Sequence, residues 1–152
     1  MKTLTLIREG LTAIRLVGLT LAAVASSLLI TGCPNHGDGS VDLAIFRTPQ
    51  TDPVLPVVNQ QITMIFVVDN LSGNYSPATT ATVSVDGVKI VSLPINAIPG
   101  GASIQITTSF TLASTGAHSI AIMVDPDQTT NDDNRNNNTF IMSITATQSG
   151  VG

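Results

Sequence analysis

Residues 124–140 read VDPDQTTNDDNRNNNTF, with four aspartates, five asparagines and one arginine between an apolar run and a phenylalanine. Carboxylates and amide carbonyls are hard oxygen donors, and calcium takes roughly six to eight of them. Asp125, Asp127, Asp132, Asp133, Asn134 and Asn137 offer such donors within one loop, so no cofactor is expected unless this loop takes calcium. The spacing is not that of an EF-hand. Counting from Asp125, Thr130 stands where that loop needs Gly, and Asn136 where it needs Glu. Asp and Asn also populate turns for conformational reasons, because they bond to nearby backbone and tolerate left-handed conformations. Arg135 adds a fixed cation that can pair with Asp132 or Asp133 and lock the loop without metal. The readings rank as a self-bonded structural loop, then a cation site, then a contact for a partner.

Other reactive chemistry is sparse. His118 sits between Ala117 and Ser119 in a strand-like run and reads as a surface histidine of that strand. Triad members are distant in sequence, so spacing alone does not test it, but the chain has no G-x-S-x-G elbow. Zinc would lack ligands: Cys33, His36 and His118 lie far apart. Sugar platforms need exposed rings, and there is no Trp and only Tyr75. Met64, Met123, Met142 and the four phenylalanines read as core. The expectation is a protein with no enzymatic activity and no evident small-molecule substrate.

The chain begins MKTLTLIREGLTAIRLVGLTLAAVASSLLITGC, a basic start followed by an apolar stretch from Leu16 to Ile30. That is the pattern of an export signal, and it is shorter than the ~20 residues of a spanning helix. Its end, LLITGC, resembles the lipobox of bacterial lipoproteins. The resemblance implies cleavage between Gly32 and Cys33, lipid on Cys33, and a membrane partner through that lipid. Two or more acyl chains give stable anchoring where one does not. The expected location is the cell envelope, outside the cytoplasm, with the outer membrane or cell surface favoured because Pro34 stands where a retention-type Asp is absent. Cys33 is the only cysteine, so no intrachain disulfide forms. Without residues 1–32 the chain keeps three basic residues (Arg47, Lys89, Arg135) against nine aspartates, a net of −6. Nucleic acid is thereby a poor partner, and a protein partner of unknown identity is expected.

These residues need a scaffold, and the chain supplies β-structure. Residues 33–40 form a polar tether in which His36 is solvated. Then come VDLAIF (41–46) as a first strand and the proline-broken TDPVLPVVNQ (51–60) as an edge or connection. QITMIFVVD (61–69) is apolar on both faces, as a strand covered on both sides would be. ATVSVDGVKIVSL (81–93) is a hairpin around Asp86-Gly87. SIQITTSFTL (103–112) alternates cleanly, with Ile104, Ile106, Phe110 and Leu112 one way. AHSIAIMVD (117–125) and TFIMSITA (139–146) complete the set. About seven strands with turn signals roughly every 8–12 residues predict an all-β, antiparallel β-sandwich, and a chain of this length buries a core without disulfides. In such a sandwich the loop 125–138 shares an end with DNLSGNYSPA (69–78) and with the start of the first strand.

The order of VDLAIF, VVDNLSGNYSPATTATVSVDG, AIPGGASIQITTSFTLASTGAHSIAIMVDPD and NNNTF resembles the CARDB family, the cell-adhesion-related domain of bacteria and archaea, over residues 41–147. The resemblance implies an immunoglobulin-like sandwich of seven strands, in secreted or surface proteins, serving adhesion or assembly. Asp125, Asp127, Asn134, Asn137 and Asn138 fall on the family's loop pattern, and Asp132 stands where a Glu is usual. Arg135 departs from it, replacing an acid by a cation. The expected organisation is therefore a lipoprotein signal over 1–32, the tether, a sandwich over 41–147 and a short tail over 148–152. The expected function is adhesion or protein–protein assembly, with a calcium-binding spacer as the alternative.

Overall fold

The computed structural model describes residues 39–148. The expected signal (1–32), Cys33 and its lipid, His36 and the tail beyond Gln148 lie outside them. Among the described residues no helix is long and apolar enough to cross a membrane.

Eight strands form two antiparallel sheets. They are β1 (Leu43–Ala44), β2 (Gln50–Asp52), β3 (Gln61–Asn70), β4 (Thr79–Val85), β5 (Val88–Ile95), β6 (Ser103–Thr111), β7 (Gly116–Val124) and β8 (Thr139–Ala146), with one 3-10 turn at Arg135–Asn137. In the first sheet β3 lies between β6 and the pair β1/β2; in the second the order is β5-β4-β7-β8. If β1 and β2 are taken as one broken edge, the predicted seven strands result. The all-β, immunoglobulin-like reading of the sequence is thus correct.

Period-2 alternation places the core. Ile62, Met64, Phe66 and Val68 of β3 face Ala81 and Val83 of β4 and Ile120, Ile122 and Val124 of β7, all buried. Each large apolar side chain so buried contributes roughly 1.5–3 kcal/mol. The Asp86-Gly87 turn closes β4 to β5 with both residues at positive φ, 51° and 80°, the conformation that follows the natural twist of a hairpin.

Four expectations change. VDLAIF pairs as a strand only at Leu43–Ala44. Val41 N and Ile45 N donate instead to the carbonyls of Asn131 and Asn137, so this segment is stitched alternately to β3 and to the Asn-rich loop. β3 buries one face, while Thr63, Ile65 and Val67 on the other are only half-buried. Phe46 and Met123 are exposed rather than core, since both fall on outward positions. Phe140 and Met142 pack at the margin of the core.

Every turn lies at one of two ends. The loops 71–78, 96–102 and 125–138 share the end at which the chain enters β1, as the topology of the sequence reading required. The loops 53–60, 86–87 and 112–115 lie at the other, where the chain leaves β8.

Candidate functional site

At the end where the chain enters, the loop 125–138 is held by three carboxylates. Asp125 follows the last residue of β7 at a positive φ of 49°, which turns its side chain inward, where it is 0% exposed. Its Oδ1 accepts from the hydroxyls of Thr79 (2.7 Å) and Thr129 (2.7 Å) and from the Thr129 N–H (2.9 Å). Its Oδ2 accepts from the Thr130 N–H (3.1 Å) and hydroxyl (2.7 Å) and from Arg135 Nη1 (2.9 Å). Burial alone would raise this carboxyl's pKa. The donors from Thr130, Thr129, Thr79 and Arg135 outweigh it and hold the group well below the usual carboxylate range. The Arg135 guanidinium also donates through Nη2 to the Thr130 carbonyl.

Asp132 organises the second half of the loop. It accepts from Leu43 N–H (3.1 Å) and Asn138 Nδ2 (3.0 Å) through one oxygen, and from Asn134 N–H (2.9 Å) through the other. Asn137 Nδ2 donates to Asp42 (2.8 Å), while the buried Oδ1 atoms of Asn137 and Asn138 accept nothing from the protein. Asp133 contributes its backbone, donating to the Val41 carbonyl (2.9 Å), and its side chain is exposed, as are those of Asp127 and Asn134.

The six loop residues singled out in the sequence are therefore not brought to one point. Asp125 and Asp132 are committed to separate donor sets, Asn137 turns toward β1, and Asp127, Asp133 and Asn134 face solvent. Among the described residues no three His, Cys, Asp or Glu side chains converge at ligand distance. Arg135 pairs with Asp125, not with Asp132 or Asp133 as its position suggests, because Asp132 is committed to Leu43, Asn134 and Asn138 and Asp133 faces solvent. Thr79, Thr129 and Thr130 escaped the sequence reading; the Thr129-Thr130 pair four and five residues after Asp125 was the available signal.

Asn70 ties the neighbouring loops. It is buried, donates to the carbonyls of Asn74 (2.8 Å) and Ile98 (2.9 Å), and accepts from Ser72. Beside it a Cβ on Gly100 would meet the Gly73 backbone at 2.3 Å, so these loops close only with glycine there.

At the opposite end His118 proves to be buried, a correction of the surface reading. It occupies the inward register of Ile120, Ile122 and Val124. Its Nδ1 lies 2.7 Å from Asp86 Oδ2 and its Nε2 2.9 Å from the Ser114 carbonyl. A carboxylate and a carbonyl both accept, so this pair of partners favours the doubly protonated ring, in which both nitrogens donate. The hydrogen bonds to Asp86 and to Ser114 raise its pKa above the ordinary value, and that to His118 lowers Asp86. A base held by a carboxylate is half of a hydrolytic triad, but here Nε2 is spent on a carbonyl and has no hydroxyl to activate.

The comparisons agree with this architecture. The sequence profile described as CARDB matches residues 40–142. Among solved structures, the CARDB domain of a Pyrococcus furiosus protein is similar in its solution structure, at 23% identity and TM-score 0.65, covering 72% of this chain and 98% of that one. Its crystal form, described as a complex with di-metal ions, gives 22% identity and TM-score 0.63, covering 71% and 90%. A domain of a candidate cell-surface protein from Methanosarcina acetivorans gives 21% identity and TM-score 0.62, covering 75% and 98%. No curated protein matches the chain.

Proposed function

The chain belongs to the CARDB family of cell-adhesion-related β-sandwiches, and from that premise we propose that it is a lipid-anchored, non-enzymatic module for adhesion or protein assembly outside the cytoplasm. The observation that carries this reading is the outer face of β7 and β8. Neither strand contains an acidic or a lysine or arginine residue, and Ile141 is 67% and Met123 41% exposed on adjoining rows. An uncharged, partly apolar surface on an otherwise acidic protein suits a protein partner. The end bearing Asp125 and Asp132 is where the chain enters, so the anchor on Cys33 would hold that end toward the bilayer. Protection of Arg135 from protease in intact cells supports this; cleavage there as fast as at the C-terminus sinks it.

The test of the function uses intact cells. A palmitate analogue should label the full chain and not Cys33→Ala, and crosslinking in chelator should capture a protein complex. An unlabelled chain removes the anchor, and a complex lost in chelator moves the reading to calcium.

Calcium is the alternative, supported by the di-metal complex of the similar Pyrococcus domain. The loop's geometry is a poor fit. Both oxygens of Asp125 are already bonded, a guanidinium stands where a cation would be needed, and three of the six candidate side chains face away into solvent. Melting with millimolar calcium and then with chelator decides between them.

A further inference from the structure

We propose that the free edge of β8 pairs antiparallel with β8 of a second copy, joining two four-stranded sheets into one of eight; this rests on the assembly reading above and names its partner.

The backbone geometry defines the edge. Val124 N donates to the Asn138 carbonyl, which fixes residues 138, 140, 142, 144 and 146 as those bonded to β7 under the recorded register, since bonded positions alternate in an antiparallel ladder. Thr139, Ile141, Ser143 and Thr145 consequently turn their N–H and C=O groups outward. Thr147, next in that series, shows the outward edge in use: its N–H donates to the Pro56 carbonyl and its own carbonyl accepts from Val58 N–H, both at 2.9 Å.

That crossing closes the edge after Ala146, and the 3-10 turn at Arg135–Asn137 closes it before Thr139. Between them lie four outward residues, an open window whose centre is Met142. One antiparallel register uses all four, pairing Thr139 with Thr145 and Ile141 with Ser143 of the other copy, with Met142 opposite Met142 on the two-fold axis. Such an isologous contact closes on itself and does not propagate into fibres.

Exposed edges are normally blunted by charge, proline, bulges or brevity. The other edges follow that rule or are solvated. β1 and β2 are short and followed by Pro53 and Pro56. β5 carries Lys89, Pro94 and a register shift against β4. β6 turns only Ser, Gln and Thr outward. β8 has none of these defences, and one of its two central outward residues is the exposed Ile141. Charge favours a second copy as the occupant. Antiparallel pairing sets the loop 125–138 of each copy beside the Pro56–Thr147 crossing of the other, so the two aspartate-rich loops lie at opposite ends of the joined sheet.

The core residues all lie within 41–146, so residues 39–148 fold as a unit, and that unit contains no cysteine. Equilibrium sedimentation of residues 39–148 at on the order of 100 μM, suited to a small strand-only interface, should give twice the monomer mass. Ser143→Pro removes an outward N–H and no bond to β7, and should return the mass to monomer without lowering Tm by more than a few degrees. Met142→Cys should crosslink on oxidation, since non-bonded antiparallel partners sit within disulfide reach, and Thr139→Cys should not. A monomer in wild type, or a dimer that survives Ser143→Pro, overturns the proposal. Either result alongside a captured envelope complex leaves the assembly reading standing with a different partner.

Discussion

Each end of the sandwich holds a carboxylate against a cation, in opposite environments. Asp125 is sealed from solvent and receives six hydrogen bonds, one from Arg135. Asp86 is 51% exposed and holds a covered His118. Removing a sealed charge strands every donor built around it, whereas an exposed one is replaced by water. The first end is therefore a structural lock, insensitive to pH over the physiological range, and the second is a weak, titratable clasp.

The largest test of that contrast is Asp125→Ala. It orphans three threonine hydroxyls and a guanidinium and should lower stability by about 3–5 kcal/mol, as loss of one partner of a buried pair does. In thermal melting that is a fall of more than ten degrees or so. A drop under about 1 kcal/mol would show that solvent reaches the loop and would erase the distinction.

Arg135→Gln comes next, at roughly 1.5–3 kcal/mol, the range for a hydrogen bond to a charged group. It leaves Asp125 with its threonine donors but without a counter-charge. Calcium should stabilise this variant more than wild type, read as a difference in Tm with and without chelator.

The clasp sharpens the comparison through pH. His118 has its folded pKa raised above the unfolded value, so its contribution is complete below the unfolded pKa of roughly 6.5 and fades as pH rises through the folded one. Asp86 is lowered, so its contribution is present above roughly 3.8 and fades on acidification. The pair is worth most between those values. His118→Gln should flatten the decline in Tm above neutrality and leave the Asp125 end unchanged; an unaltered slope would place the titration elsewhere. Smallest of all, Asp127→Ala should stay within about 0.5 kcal/mol, because its side chain is exposed and bonded to nothing. A large loss there would revive a cation site.

How much of this was legible follows from which rules are local. β8 was read to the residue, and the Asp86-Gly87 hairpin with it, because alternation and turn chemistry need only neighbours in sequence. The first strand is shorter than its sequence suggests, because its pairing depends on the loop 131–137, some ninety residues away. Asp125 could not be separated from Asp127 by composition; a positive φ at one turns it inward and leaves the other in water. His118 was recoverable: the alternation that buries Ile120, Ile122 and Val124 already put it on the inner face. Met123, on the opposite phase, was exposed for the same reason.

The chain enters at one end of the sandwich and leaves at the other, and at each it is pinned by a parallel bridge, Val41 to Asp132 and Val57 to Thr147. A pull applied between the entry of the chain at Val41 and its exit at Thr147 runs along the strands. Parallel terminal segments resist such a pull in shear, so the hydrogen bonds of Val41, Asp133, Val58 and Thr147 share the force at once and do not unzip singly. The same two bridges that fix the fold at rest thus set the path by which a tension between the two ends would load the domain.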